Sequence, residues 1–276
     1  MTFAAEHVSF AYRDRNRSAH QVFRDLCMRI APGEAVGLIG AEGSGKSTLL
    51  QLLDGLLVPD RGEVMIDGIR ILAGRDSDGS FRKRIGMTFQ FPDEQFLCDT
   101  VVRECETALA VGGVPPGQVR TAAETLLRRV GLDPAVGGRS PFTLSVGESR
   151  RLALALILAS RREAAILDEP TAGLDADGVR LMVRELRALH EEGTTLIVAT
   201  HDVDLVAETL ERVIVLDGGT IVLDGRADVI LCDDLLLSEH GYPMPEAAMV
   251  AQQLRQQGKP VPVGLVRRGA LEPYLS

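Results

Sequence analysis

The sequence predicts an α/β fold: a core with a largely parallel sheet, an antiparallel portion beside it, an inserted helical subdomain and a small C-terminal helical extension. Three observations carry this reading. Short apolar runs alternate with helical patterns in 34–57 and again in 164–217. The first strands, near 3–10 and 22–30, have no helix between them. From Phe91 to Ala159 the strand signal fades and helical patterns take over.

In chain order, alternation and β-branched runs predict strands near 3–10, 22–30, 34–40, 63–67 and 84–89. Further strands are expected near 164–168, 194–200, 212–217 and 220–223. A helix over 46–57 follows a glycine-rich loop, one over 176–192 follows Asp175, and one over 203–211 follows His201. The insert, about 91–160, carries helical patterns at 100–110, 116–130 and 146–159. These elements make 1–230 one domain, and the composition shifts near 231–245. Pro245 suits the first turn of a helix that places Ala247, Val250, Ala251 and Leu254 on one face. Gly258 stops that helix, and Pro260 and Pro262 prevent it from resuming, so 231–276 reads as a helical extension.

Composition sets the outer limits. A chain of 276 residues holds one large domain, or a domain with an appendage. The net charge of -9 argues against nucleic acid as a partner, because neutralising phosphates needs clustered Lys and Arg. Cys27, Cys98, Cys105 and Cys232 show neither metal-type nor redox spacing and read as buried thiols of a reducing cytosol. The first residues lack a basic start and an apolar stretch, so no signal peptide is expected. The longest apolar run, Leu152 to Ser160, falls far short of the ~18 residues a membrane span needs.

Residues 40–47, Gly-Ala-Glu-Gly-Ser-Gly-Lys-Ser, match G-x-x-x-x-G-K-S between a buried strand and a helix. Glycines at Gly40, Gly43 and Gly45 let backbone N–H groups turn toward phosphates, and the helix start adds positive potential. Lys46 would reach the β- and γ-phosphates of a nucleotide, and Ser47 would ligate Mg²⁺. The run Ala164-Ala-Ile-Leu-Asp168 ends a strand in a carboxylate placed to hold Mg²⁺ through water. Glu169 beside it is a candidate general base for the attacking water. His201, at another strand end, is a candidate donor to the γ-phosphate. Gln90 ends a strand that leads into the insert, where it can touch Mg²⁺ and the lytic water. Tyr12 can stack on an adenine face. Ser145 and Glu148 form a capping box before the helix at 146–159, and Ser145 and Gly147 at that helix start would also suit an anion.

Together these residues resemble the ATP-binding-cassette (ABC) ATPase family over roughly 3–230. The ordered set is Tyr12, the 40–47 loop, Gln90, Leu144-Ser-Val-Gly-Glu148, Asp168-Glu169, Ala172-Gly-Leu-Asp175 and His201. The resemblance implies a P-loop NTPase core of the RecA-like kind. It implies ATP and Mg²⁺ as ligands, with Gly40, Ala41, Glu42, Gly43, Ser44, Gly45, Lys46, Ser47 and Thr48 around the phosphates. It also implies two subunits sandwiching two ATP molecules, Ser145 and Gly147 acting on the partner's nucleotide, and Asp175 bridging the pair.

Finer features look like the ATPases of energy-coupling-factor (ECF) transporters and of cobalt and nickel importers. Phe89-Gln-Phe-Pro-Asp-Glu-Gln-Phe96 resembles their stretch that receives the membrane subunit, through 91–96. The 231–276 tail resembles their dimerising extension. A peripheral location on the cytoplasmic face of the membrane follows. The signature departs from L-S-G-G-Q, with Val146 in place of Gly and Glu148 in place of Gln. Val stiffens the turn and Glu brings negative charge toward the phosphates, so pairing with a different ATPase subunit is an expectation beside a homodimer. Two other readings remain open: a soluble ABC ATPase outside transport, and a weakly hydrolysing ATP-binding scaffold. A GTPase is excluded, since none of Lys46, Lys83 and Lys259 lies in Asn-Lys-x-Asp.

Overall fold

Every residue from Ala35 to Gly40 is buried, as expected of a strand with neighbours on both edges and layers on both faces. The computed structural model describes residues 1–13, 19–71 and 81–275; Ser276, the last residue of the expected extension, lies outside them. The strands are β1 (Phe3–Arg13), β2 (Ala19–Ile30), β3 (Ala35–Gly40), β4 (Arg61–Ile66), β5 (Ile69–Arg70) and β6 (Ile85–Thr88). They continue with β7 (Ala164–Asp168), β8 (Thr195–Ala199), β9 (Arg212–Asp217) and β10 (Thr220–Arg226). The helices are α1 (Lys46–Leu53), α2 (Val101–Val111), α3 (Val119–Arg129), α4 (Val146–Ser160) and α5 (Ala176–Glu191). After these come α6 (Val203–Thr209), α7 (Ala227–Ile230), α8 (Asp234–Glu239), α9 (Glu246–Gln256) and α10 (Arg268–Leu271).

The strands form two sheets, ordered β2-β1-β4-β5 and β10-β9-β3-β8-β7-β6. The first sheet is antiparallel. In the second, β9, β3, β8, β7 and β6 run parallel, and β10 closes the edge antiparallel. The α/β fold with its antiparallel portion is therefore as the sequence predicts. Strand periodicity divides the parallel sheet between two cores. Ile166, Ile197 and Ile214 face α1 and the antiparallel sheet, where Phe3, Phe23, Leu50 and Leu53 are fully buried. Leu167, Val198 and Val215 face the other way, onto α4, α5 and α6. Helices α2, α3 and α4 occupy the predicted insert and share this second core through Val101, Leu127 and Leu152.

Beyond residue 230, Leu231, Leu237, Met244, Ala248 and Val266 join the second core. Ala247 and Ala251, with Val250 and Leu254 beside them, pack instead on Val261, Leu265 and Leu271 in a smaller cluster. Pro245 stands at the N-cap of α9, one residue ahead of the first turn. No helix among the described residues is long and apolar enough to cross a membrane.

The helix expected over 46–57 ends early. Gly55 adopts φ +76°, and the amides of Leu56 and Leu57 both fold back onto the Gln51 carbonyl. A left-handed glycine just past a helix is a stop signal that outweighs the leucines following it. At its C-cap, Asp54 is half-buried at the negative end of α1. Burial pushes its carboxyl up to about 6, only partly opposed by Arg82. The folded chain therefore holds this proton more tightly than the unfolded chain. Stability is expected to fall as pH rises from about 4 to about 6, by up to about 3 kcal/mol. Urea unfolding from pH 4 to 7 measures the slope, and Asp54→Asn should flatten it.

Candidate nucleotide site

Parallel strands end together, and this determines where the site lies. The C-terminal ends of β3, β7 and β8 deliver Gly40, Asp168 and, one step past Thr200, His201 to one edge of the sheet. They open into a cleft of about 760 Å³. Tyr12, Gly40, Ala41, Glu42, Gly43, Gly45, Lys46, Ser47, Thr48, Gln90, Asp168, Glu169 and His201 all line it. Ser44 lies beneath the loop, its Oγ buried and without a hydrogen-bond partner.

The loop between β3 and α1 requires its glycines. Gly45 sits at φ +104°, and a Cβ there would come 2.8 Å from the Phe23 ring. A Cβ on Gly40 would come 2.6 Å from the Leu216 carbonyl oxygen. Lys46 Nζ donates to the carbonyls of Gly40 at 2.6 Å and Ala41 at 3.2 Å, so the ammonium is drawn back over the loop. Burial pushes its pKa down, and Glu169, Asp168 and Glu42 oppose that. The Tyr12 hydroxyl meets Thr48 Oγ1 at 3.2 Å, and its ring stands edge-on to Phe10 at 5.0 Å between centroids.

Asp168 and Glu169 are adjacent but differ in surroundings. Burial pushes the Asp168 carboxyl up; a hydrogen bond from Ser47 opposes this, Glu169 adds to the rise, and Lys46 and Arg150 pull down. Asp168 and Ser47 thus form a ready pair of hard oxygen donors, a set that fits Mg²⁺. Glu169 is a non-glycine residue at φ +47°, a strained conformation of the kind found at functional sites. Its Oε2 accepts from Thr200 Oγ1 at 3.1 Å and from the His201 amide at 3.4 Å. His201 Nδ1 lies 2.9 Å from the same oxygen, leaving Nε2 facing away from this contact.

Ser145, Gly147 and Asp175 do not line the cleft. The capping box is complete: Ser145 N donates to Glu148 Oε2 at 2.8 Å, and Glu148 N donates to Ser145 Oγ at 3.3 Å. The Ser145 amide, followed by its hydroxyl, holds the Glu148 carboxyl below its ordinary range. Val146 is 62% exposed and rests on Gly173, where a Cβ would come 2.8 Å from Val146 Cγ1. Asp175 caps α5 through the Gly178 amide and takes a 2.8 Å contact from Arg151.

Sequence reasoning missed several residues of this region. His20 and Val22 reach the cleft from β2, and His240, Gly241 and Tyr242 reach it from the turn before α9. Burial pushes the Tyr242 phenol up to about 12, with Asp217 and Glu169 adding to the rise. Its Oη lies buried against the Gly40 backbone and makes no well-aligned hydrogen bond. Arg150 was missed as well. Its buried guanidinium donates to the carbonyls of Gln90 at 2.7 Å, Ala172 at 2.9 Å and Asp168 at 3.4 Å. The one available signal was its place two residues after the capping Glu148, on the turn facing inward.

The chain is similar to known proteins over most of its length. The family model described as ABC transporter matches residues 23–172. The energy-coupling factor transporter ATP-binding protein EcfA2 of Symbiobacterium thermophilum is 36% identical over 266 residues, covering 96% of this chain and 92% of that protein. Its namesake from Clostridium perfringens is 34% identical over 260 residues, covering 94% and 91%. Among solved structures, a dimeric ATP-binding cassette in a post-hydrolysis state with ADP and Pi aligns with a TM-score of 0.73 at 28% identity, covering 82% of this chain and 98% of that one. The structure of cbiO1 from Clostridium perfringens, part of the ABC transporter complex cbiONQ, aligns with a TM-score of 0.70 at 29% identity, covering 91% and 98%. Motif order, fold and relatives agree: the chain belongs to the ABC transporter family, among the ATP-binding proteins of energy-coupling factor transporters.

Proposed function

We propose that this chain is the ATP-binding and ATP-hydrolysing subunit that energises a membrane importer of the ECF type, acting as half of an ATPase pair on the cytoplasmic face. One observation carries the reading. The cleft holds the phosphate loop, Asp168, Glu169 and His201, while Ser145 and Gly147 stand outside it on the same chain. Two copies opposed head to tail would bring each signature to the other's cleft, and the relatives that align well include dimers.

In this scheme the backbone amides of 41–47 and Lys46 hold the phosphates, and Tyr12 takes the adenine face. Ser47 and Asp168, with Gln90 nearby, would hold Mg²⁺, which would supply charge neutralisation to the phosphates. Glu169 orients the lytic water. Its carboxylate is pinned by Thr200 and His201, which fixes its direction in advance and reduces the reorganisation needed at reaction. His201 Nε2 remains for the γ-phosphate. Asp175 reaches the facing subunit from the start of α5.

The membrane subunits would meet the 91–96 segment. Phe91 is 60% exposed, and Leu97, one residue past the segment, is 92% exposed. The backbone there is fixed, because the amides of Leu97 and Cys98 both donate to the buried Glu104 carboxylate on α2. Residues 231–276 would add a dimer surface, where Leu235, Met249 and Val263 are exposed.

Glu169→Gln should bind ATP yet lose hydrolysis by about 10²-fold or more, accumulating an ATP-bound dimer on gel filtration. Turnover equal to wild type, or a monomer under saturating ATP, would count against the assignment. Phe91→Glu with Leu97→Glu should abolish co-purification with membrane subunits in mild detergent while the melting temperature stays put. The signature also supports an unequal pair, because Val146 fills the turn and Glu148 carries charge toward the facing phosphates. Val146→Gly with Glu148→Gln should therefore raise turnover at the facing site, read as kcat of the assembled pair. An unchanged kcat would remove the case for asymmetry.

A further inference from the structure

Away from the cleft, β1 and β2 bring together donor atoms whose sequence spacing gave no hint of it. Among the described residues, His7, Asp25 and Cys27 form the one group of His, Cys, Asp or Glu side chains whose ligand atoms all lie within 4.8 Å of one another. The register explains how. Ala5 pairs with Met28 and Val8 with Leu26, so His7 falls in an irregularity of the ladder opposite Cys27. Both His7 and Asp25 adopt left-handed backbone, at φ 52° and 58°, a conformation uncommon outside glycine that His and Asp enter more readily than most. The backbone of His7 is pressed from behind by β4. A Cβ on Gly62 would come 2.2 Å from the His7 carbonyl oxygen, so β4 can approach only because that residue is glycine.

The result is three different donors on one patch, for Cys27, expected among buried thiols, is exposed, and only Cys105 of the four cysteines is buried. His7 Nδ1 lies 2.7 Å from Asp25 Oδ1 and 3.7 Å from Cys27 Sγ. The His7 amide donates to the same sulfur at 3.2 Å, which fixes where Sγ sits. Metal–nitrogen bonds of about 2.0–2.1 Å and metal–sulfur bonds of about 2.3 Å place N and S about 3.5 Å apart on a tetrahedral edge. The observed N···S separation is close to that. The N···O separation needs to open by less than about 1 Å to reach the corresponding edge. The His7 and Asp25 side chains are 77% and 74% exposed, so an ion can enter and solvent can fill a fourth position.

We propose that His7 Nδ1, the Asp25 carboxylate and Cys27 Sγ form a surface site for a zinc-type divalent ion, separate from the nucleotide cleft. The mixed N, S and O set suits Zn²⁺ or Co²⁺ and disfavours Mg²⁺ and Ca²⁺, which take oxygen. On binding, the Cys27 thiol gives its proton to solvent as the metal–sulfur bond forms. The His7–Asp25 hydrogen bond breaks: Nδ1 gives its proton to solvent, and the imidazole binds neutral, with its remaining proton on Nε2.

The full chain, free of any polyhistidine tag and stripped with chelator under reducing conditions, is titrated with Co²⁺. Expected are a thiolate-to-cobalt charge-transfer band in the near ultraviolet, tetrahedral visible bands saturating at one ion per chain, and displacement by Zn²⁺. Cys27→Ser should remove the charge-transfer band, and His7→Gln and Asp25→Asn should each weaken binding by at least about tenfold. The absence of a band, its persistence in Cys27→Ser, or unchanged affinity in His7→Gln would overturn the proposal. A second measurement needs no variant: Zn²⁺ should slow alkylation of Cys27, mapped by peptide mass, and leave Cys98 unaffected. Equal alkylation rates with and without Zn²⁺ would also overturn it.

Discussion

The parallel register of β3 with its neighbours is the constraint on which the rest of the molecule depends. Ala35–Leu38 pair with Leu196–Ala199 on one side, and Val36–Gly40 pair with Arg212–Leu216 on the other. Parallel strands carry their carboxyl ends to a common edge, where ligands settle in folds of this class. Gly40, Asp168 and Ala199 arrive there because the backbone ladder aligns them, and the polar residues that follow each strand inherit a shared space. Sheet burial on two faces makes this alignment rigid. A shift of one residue in β7 would turn Ile166 and Leu167 onto the wrong cores.

Strand-by-strand alternation made most of this legible without coordinates. The run holding Ile166 and Leu167 was legible as a strand, whereas their assignment to different cores came from the packing of the folded chain. The phosphate loop was legible for a different reason: its chemistry is local, and glycine at φ +104° has no substitute beside Phe23. The capping box of Ser145 and Glu148 was local too. What escaped reading was assembled by distant contacts. His20 and Val22 reach the cleft only through β2, and Tyr242 only because Leu237 and Met244 anchor its turn in the main core. The end of α1 was overrun, since a row of leucines disguised the stop at Gly55.

Arginines illustrate the same limit. Arg150 and Arg151 are consecutive and look alike on paper. Arg151 reaches the Gly131 carbonyl and Asp175 at the periphery, whereas Arg150 is enclosed. Which of two neighbouring guanidiniums is buried depends on carbonyl groups contributed by segments sixty and twenty-two residues away. No periodicity in α4 records that.

Arg150 has a mechanical consequence. A guanidinium is flat and offers five donors in fixed directions. Here that plane is anchored at once to the chain entering the exposed Phe91–Leu97 ridge, to the strand end carrying Asp168, and to the loop on which Val146 rests. None of the three can drift alone without breaking a hydrogen bond to the same guanidinium. One flat group thus fixes the spacing between the segment leading to Phe91, the Asp168 strand end and the loop beneath Val146.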